Sequence, residues 1–172
     1  VLVFMFALTA VFRPTFLRIS NLRGIIVNSN DIFLAGFGMT FVILAAGIDL
    51  SQGSLAALSG MIMAMLLRAG MHFVPAMLIT LAAGAACGAL NGAIISLAKV
   101  PPFVVTLGTM GVFRGLAMTL NGGYSVPIDI NNPFLMFCNG KTLTVPNVIY
   151  VIAAVFIVCF LILHRTNVGR NV

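Results

Sequence analysis

The sequence predicts an all-α fold, a polytopic bundle of transmembrane helices with about six segments present. Three observations carry this. The 172-residue chain is 61% hydrophobic and 7% charged, with a mean hydropathy of +1.17, whereas soluble domains carry about 25% charged residues. Apolar runs recur along it at or near the length needed to cross a hydrocarbon core of about 30 Å. Most of the nine Lys and Arg residues lie outside these runs or near their ends, as basic residues do around membrane helices. The formal charge of +6 is therefore not read as a nucleic-acid footprint.

Residues 1–12 read as the end of a first helix, closed by Arg13-Pro14. The run begins without Met, charged leader or cleavage site, so it is not a signal peptide. The chain is expected to be truncated there, and again after Arg170-Asn171-Val172. Residues 15–31 are polar and basic and read as a loop, with a short interfacial helix over 22–27.

Residues 32–48 and 55–67 form two apolar segments around a polar break, Gly47-Ile48-Asp49-Leu50-Ser51-Gln52-Gly53-Ser54. At 1.5 Å per residue they reach roughly 26 and 20 Å, short for full crossings. This is expected to be a broken helix pair around Asp49, whose non-helical backbone needs protein or a water-filled cavity around it. Asp49 is one of three acidic residues, and a carboxylate at bilayer depth is costly enough to need a reason. One reason is local: Asp49 and Ser51 cap the following helix. The other is a place on a solute path. Both can hold.

Residues 73–98 are the longest apolar run, with small residues at every fourth position: Ala76, Thr80, Gly84, Gly88, Gly92 and Ser96. Such a stripe is a shallow groove for another helix backbone. Asn91 beside it reads first as a hydrogen bond across a helix interface and second as lining a solute path. Lys99-Val100-Pro101-Pro102 stops this helix, since proline lacks the N–H and disfavours helix before it. Residues 103–120 are a fifth segment with Gly108, Gly111 and Gly115; Gly111 and Gly115 form another close-packing pair. Arg114 within it reads as snorkelling to the near interface, or as a polar contact inside the bundle. Residues 121–144 read as a long polar loop packed over the membrane mouth. Residues 145–163 are a sixth segment, followed by His164, Arg165 and Arg170.

Several chemistries have no sequence basis. There is no phosphate-binding GxxxxGK[ST], no HExxH and no GxSxG. The carboxylates are unclustered, so paired acid–base catalysis has no candidates. His72 and His164 lie at segment ends and read as interfacial. Cys87, Cys138 and Cys159 have no metal-ligand spacing and read as structural. Charge alone does not fix orientation, because placing the Arg165–Arg170 end inside puts Arg13, Arg18 and Arg23 outside.

Residues 36–60, GFGMTFVILAAGIDLSQGSLAALSG, resemble the signature of permease subunits of bacterial ATP-binding cassette importers for ribose and related sugars. Gly88-Ala89-Leu90-Asn91-Gly92 matches next, then residues 99–110 (KVPPFVVTLGTM), Arg114-Gly115-Leu116, and a T-x-x-G-R stretch from Thr166 to Arg170. The resemblance covers nearly the whole chain and implies a permease about twice this length, of which residues 1–172 are the N-terminal part. It implies two permease copies, two ATPase subunits that carry ATP and Mg, and a periplasmic or lipid-anchored sugar-binding protein, at the bacterial inner membrane. No cofactor is expected in this chain itself. Thr166, Gly169 and Arg170 would begin the loop that couples to the ATPase, placing that end inside.

Two positions depart from the family pattern. Ala46 stands where Gly is common, and Gln52 where Val is common. The expected role is a transport subunit rather than an enzyme. Asp49, Ser51, Gln52, Ser54, Asn91 and Thr106 are candidates for path or gate, and Gly84, Gly88, Gly92, Gly111 and Gly115 for helix packing. The alternative reading is an ion-coupled secondary transporter in which Asp49 titrates at a midplane site. A purely structural membrane subunit is a third.

Overall fold

Helices occupy every apolar run in the computed structural model, which describes residues 1–166 and Gly169. The α-helices are α1 Leu2–Phe12, α2 Ile19–Asn28, α3 Asn30–Leu44, α4 Gln52–Arg68, α5 Phe73–Ala98, α6 Pro102–Thr119, α7 Pro133–Asn139 and α8 Asn147–Arg165. Three of them, α5, α6 and α8, are each long and apolar enough to cross a membrane. The pair α2 and α3, bent by 48° at Ser29, makes a fourth if counted as one span. The α1 and α4 helices are apolar but shorter. Among the described residues three or four spans thus stand where about six segments were expected, because two of the apolar runs build helices below crossing length.

Two stretches read mainly as loops are more ordered than that, although the short helix expected over 22–27 falls inside α2. Residues 15–31 hold a 3-10 turn at Pro14–Leu17, all of α2 and the start of α3. Residues 121–144 hold α7 and the first strand of a hairpin, β1 Lys141–Thr142 paired antiparallel with β2 Val145–Pro146. Leu143 and Thr144 turn it with φ of 49° and 69°, the mirror-image turn that suits strand twist. The hairpin is tied to the start of α8. Thr142 Oγ1 donates to Asn147 Oδ1 at 2.7 Å, and Tyr150 Oη donates to the Thr142 carbonyl at 3.0 Å. Partial burial pushes the Cys138 thiol above its ordinary pKa, which favours the protonated form.

The chain divides into two units. One comprises Val1–Phe37 with Cys138–Asn171, and the other Gly38–Phe137. In the first, Phe37 packs on Phe156 of α8, with ring centroids 5.5 Å apart.

The second unit holds the apolar core. Its α4 and α5 run antiparallel. Ser51 meets Asn91, the ideal Cβ position of Gly84 lies 3.7 Å from Ser59 Oγ, and Thr80 meets Met63. Leu58 packs with Phe113 and Ala117 of α6, with Cys87 of α5 against them. Met63, Leu67 and Ala76 form a second cluster, covered by Ile128 and Phe134 from the segment after α6. That segment packs over the α4–α5 turn through Ile128 and Phe134, while Tyr124 and Phe137 are exposed.

Candidate functional site

The α3 helix ends in a left-handed turn. Ala46 has φ of 53°, its N–H donates to the Ile43 carbonyl, and the Gly47 N–H donates to the Val42 carbonyl at 2.9 Å. This is the Schellman pattern that closes a helix C-terminus. Ala46 is the first of the two departures noted above, and it occupies the position where glycine is conformationally cheapest.

After the turn, Asp49 folds over the next two residues. Its Oδ1 accepts from the Ser51 backbone N–H at 2.8 Å and from Ser51 Oγ at 2.7 Å. Ser51 stands at the start of α4, but its own side chain does not cap that helix. The local capping expected of Asp49 and Ser51 is therefore a turn made by Asp49 around Ser51. Ser51 is 0% exposed, and its Oγ also accepts from Asn91 Nδ2 of α5 at 3.0 Å. Asn91, Ser51 and Asp49 form one directed chain of hydrogen bonds. At the other side of the break, Thr106 Oγ1 of α6, 2% exposed, donates to the Ile48 carbonyl at 3.1 Å and shares its hydrogen with the Pro102 carbonyl at 2.9 Å. The seven residues between α3 and α4 are thus fastened to α5 and to α6 by side chains.

This arrangement unites four of the six path candidates, Asp49, Ser51, Asn91 and Thr106, as mutual or backbone partners. Gln52 is elsewhere: its Nε2 lies 3.3 Å from where a Cβ on Gly38 would stand. Ser54 is buried and lines an open cleft of about 500 Å³ with Leu50, Gly53, Met110, Gly111 and Arg114. One polar atom is left over. Asn91 Oδ1 is buried without a partner among the described residues, a penalty of about 1–3 kcal/mol for a group so placed.

The packing glycines behave unequally. Gly84 faces Ser59. Nothing lies within 4 Å of the Cβ position at Gly88, Gly92, Gly111 or Gly115. On α5 the expected groove is filled only at its first half, because α4 packs on the face carrying Ala76, Thr80, Gly84 and Asn91; the Gly111–Gly115 pair of α6 likewise has no backbone against it among the described residues. At the coupling stretch, Thr166 Oγ1 donates to the Ile162 carbonyl at 2.6 Å and accepts from the Gly169 N–H at 3.5 Å. Arg170 lies outside the described residues.

The site is made of hydrogen-bonding groups, and its one hydroxyl–carboxylate pair, Ser51 with Asp49, is fully buried at the hydroxyl and shared with Asn91. No cluster of three or more His, Cys, Asp or Glu residues that could hold a metal ion occurs among the described residues. Sequence reasoning placed Arg114 in a helix but outside the site; a basic residue deep in an apolar segment was the available signal.

Comparison with known proteins finds similar membrane-transport permeases. The model of a family described as "branched-chain amino acid transport system / permease component" matches residues 21–172. The ribose import permease protein of Escherichia coli strain K12 is 34% identical over 99% of this chain and 54% of its own length. That of Bacillus subtilis strain 168 is 36% identical over 95% of this chain and 51% of its own. The D-allose transport system permease protein of Escherichia coli strain K12 is 35% identical over 91% of the chain and 48% of its own length. The chain spans about half the length of these relatives. No solved structure matches it.

Proposed function

Since the chain belongs to the branched-chain amino acid transport system / permease component family, we propose that it is the N-terminal part of the permease subunit of an ATP-binding cassette importer. Its cargo is a monosaccharide. The observation that carries this is end-to-end similarity to a ribose import permease over 99% of the chain, together with a membrane-type helical fold. The permease performs no covalent chemistry. Partner ATPase subunits bind and hydrolyse ATP, a second permease copy completes the pore, and a periplasmic or lipid-anchored protein delivers the sugar. The assembly sits in the bacterial inner membrane.

All six apolar segments lie within the bilayer in this reading, with α1 and α4 as short or partial crossings. The end carrying Arg165 is cytoplasmic, and Thr166, Gly169 and Arg170 open the loop that meets the ATPase. The fastened break at Ile48–Ser51 supports a mechanical role: it holds α3, α5 and α6 to the base of α4, so that these helices move together when the ATPases close. Asp49, Ser51, Asn91 and Thr106 then act as positioning residues, and Ser54 faces the path.

Copurification tests the assignment. The full-length protein, tagged and solubilised in mild detergent, is expected to bring down a stoichiometric ATPase subunit, and sugar uptake is expected to vanish when the phosphate-binding lysine of that subunit is replaced. Purification alone, with uptake driven by an ion gradient, contradicts it.

A further inference from the structure

Arg114 lies deeper than its place in α6 indicates. It is five residues from Thr119, roughly 8 Å from that helix end, within reach of an interface by snorkelling. Its neighbour Phe113, however, belongs to one buried cluster with Leu58 and Ala117, against which Cys87 packs. Cys87 is 14 residues from Phe73 and 11 from Ala98, which puts it roughly 21 and 17 Å from the two ends of α5. Arg114 therefore sits near mid-depth of the longest span. A charged side chain there faces a bundle interior or a water-filled cavity and has a partner. Arg114 has no hydrogen-bond or ion-pair partner among the described residues. It opens instead onto the 500 Å³ cleft between the start of α4 and the middle of α6, within the size range of small-molecule sites.

The lining of that cleft has the chemistry of a sugar site. Arg114 brings a planar fork of donors and no acceptor, and Ser54 brings a hydroxyl. Leu50 and Met110 bring an apolar wall for the C–H face of a ring, and Gly53 and Gly111 keep the backbone approachable. No carboxylate lines it among the described residues. We propose that this cleft, and not the fastened break beside it, contacts the cargo, an uncharged polyhydroxylated ring, and that Arg114 is its main hydrogen-bond donor. This rests on the transport reading above.

The test uses the full-length importer in proteoliposomes, with Cys87, Cys138 and Cys159 replaced by alanine and Gly111→Cys introduced. The open space at Gly111 accommodates that side chain. A charged, water-soluble methanethiosulfonate reagent is expected to label the new cysteine, and D-ribose or D-allose, whichever the wild type takes up, is expected to slow the labelling. Absence of labelling means that lipid or protein fills the cleft and overturns the proposal, as does labelling indifferent to the transported sugar.

Arg114→Gln is expected to reduce kcat/KM for uptake by about tenfold, mainly through KM, with assembly on the ATPase and thermal midpoint unchanged. Loss of assembly in both Arg114→Gln and Arg114→Lys marks a structural ion pair and overturns it. If the wild type shows no ATP-driven uptake of either sugar, the transport reading itself fails, a result distinct from those above.

Discussion

The helix α4 is entered and left by the same backbone device, finished in opposite ways. At its exit, Gly70 is left-handed with φ of 82°, and the Met71 N–H donates back to the Leu66 carbonyl, as Gly47 does to Val42 at the end of α3. The exit turn leads straight into α5 and is covered by apolar side chains: Met63, Leu67 and Ala76, with Ile128 and Phe134 above them. The entry turn is followed by residues held by Asp49, Ser51, Asn91 and Thr106. Apolar cover is tolerant, since its attraction is non-directional. Hydrogen bonds inside a membrane fix geometry, because a displaced polar group finds no water. The entry is therefore the turn whose exact shape matters, and it is the one that borders the cleft at Arg114.

The largest effect expected on this contrast comes from Ser51→Ala. It strips Asn91 of its remaining partner and takes one hydrogen bond from Asp49, and is expected to lower stability by about 2 kcal/mol, read as an earlier unfolding midpoint of the full-length protein in a denaturing-detergent titration. A change below a few tenths would mean that the entry is held by packing, like the exit. Gly70→Ala comes next. With nothing within 4 Å of its Cβ position, its cost is that of a left-handed non-glycine residue, about 1–2 kcal/mol, visible as a lower thermal midpoint. Ala46→Gly is the reverse change in the matching turn and should stabilise by about 1 kcal/mol. Equal signs for these two substitutions would show that the turns are not equivalent. Thr106→Val should have the smallest effect, about 0.5 kcal/mol, since the hydroxyl hydrogen is shared with a carbonyl of its own helix. A double-mutant cycle with Ser51→Ala should be close to additive, because Thr106 and Ser51 grip opposite sides of the break.

Much of this was legible in the sequence. Long apolar runs and Pro101-Pro102 determine the helices of the second unit, and the Gly47–Ser54 break stands out because polar residues in such a chain are few. The pairing of Asn91 with Ser51 was not legible, since it depends on the register of α4 against α5. The same register decides why Gly84 meets Ser59 while Gly88 and Gly92 face open space: spacing names a stripe but not which neighbour lies on it. The short helix over 22–27 was legible but its full extent, Ile19–Asn28, was not; the order in residues 121–144 was missed because polar composition hides short helices, and Leu143-Thr144 is an unusual pair for a mirror-image turn that favours Asn-Gly. Arg114 was visible, but its depth was not, because depth follows from the cluster that Phe113 shares with Leu58 and Ala117, with Cys87 against it.

Uptake energetics test the central claim most directly. Sealed vesicles containing the full-length permease, its ATPase and its sugar-binding protein would be loaded with ATP on the ATPase side and given labelled ribose or allose outside. Accumulation that requires ATP and survives an uncoupler is the predicted result. Accumulation that ignores ATP and collapses with the uncoupler would contradict the importer and favour a carrier driven by an ion gradient.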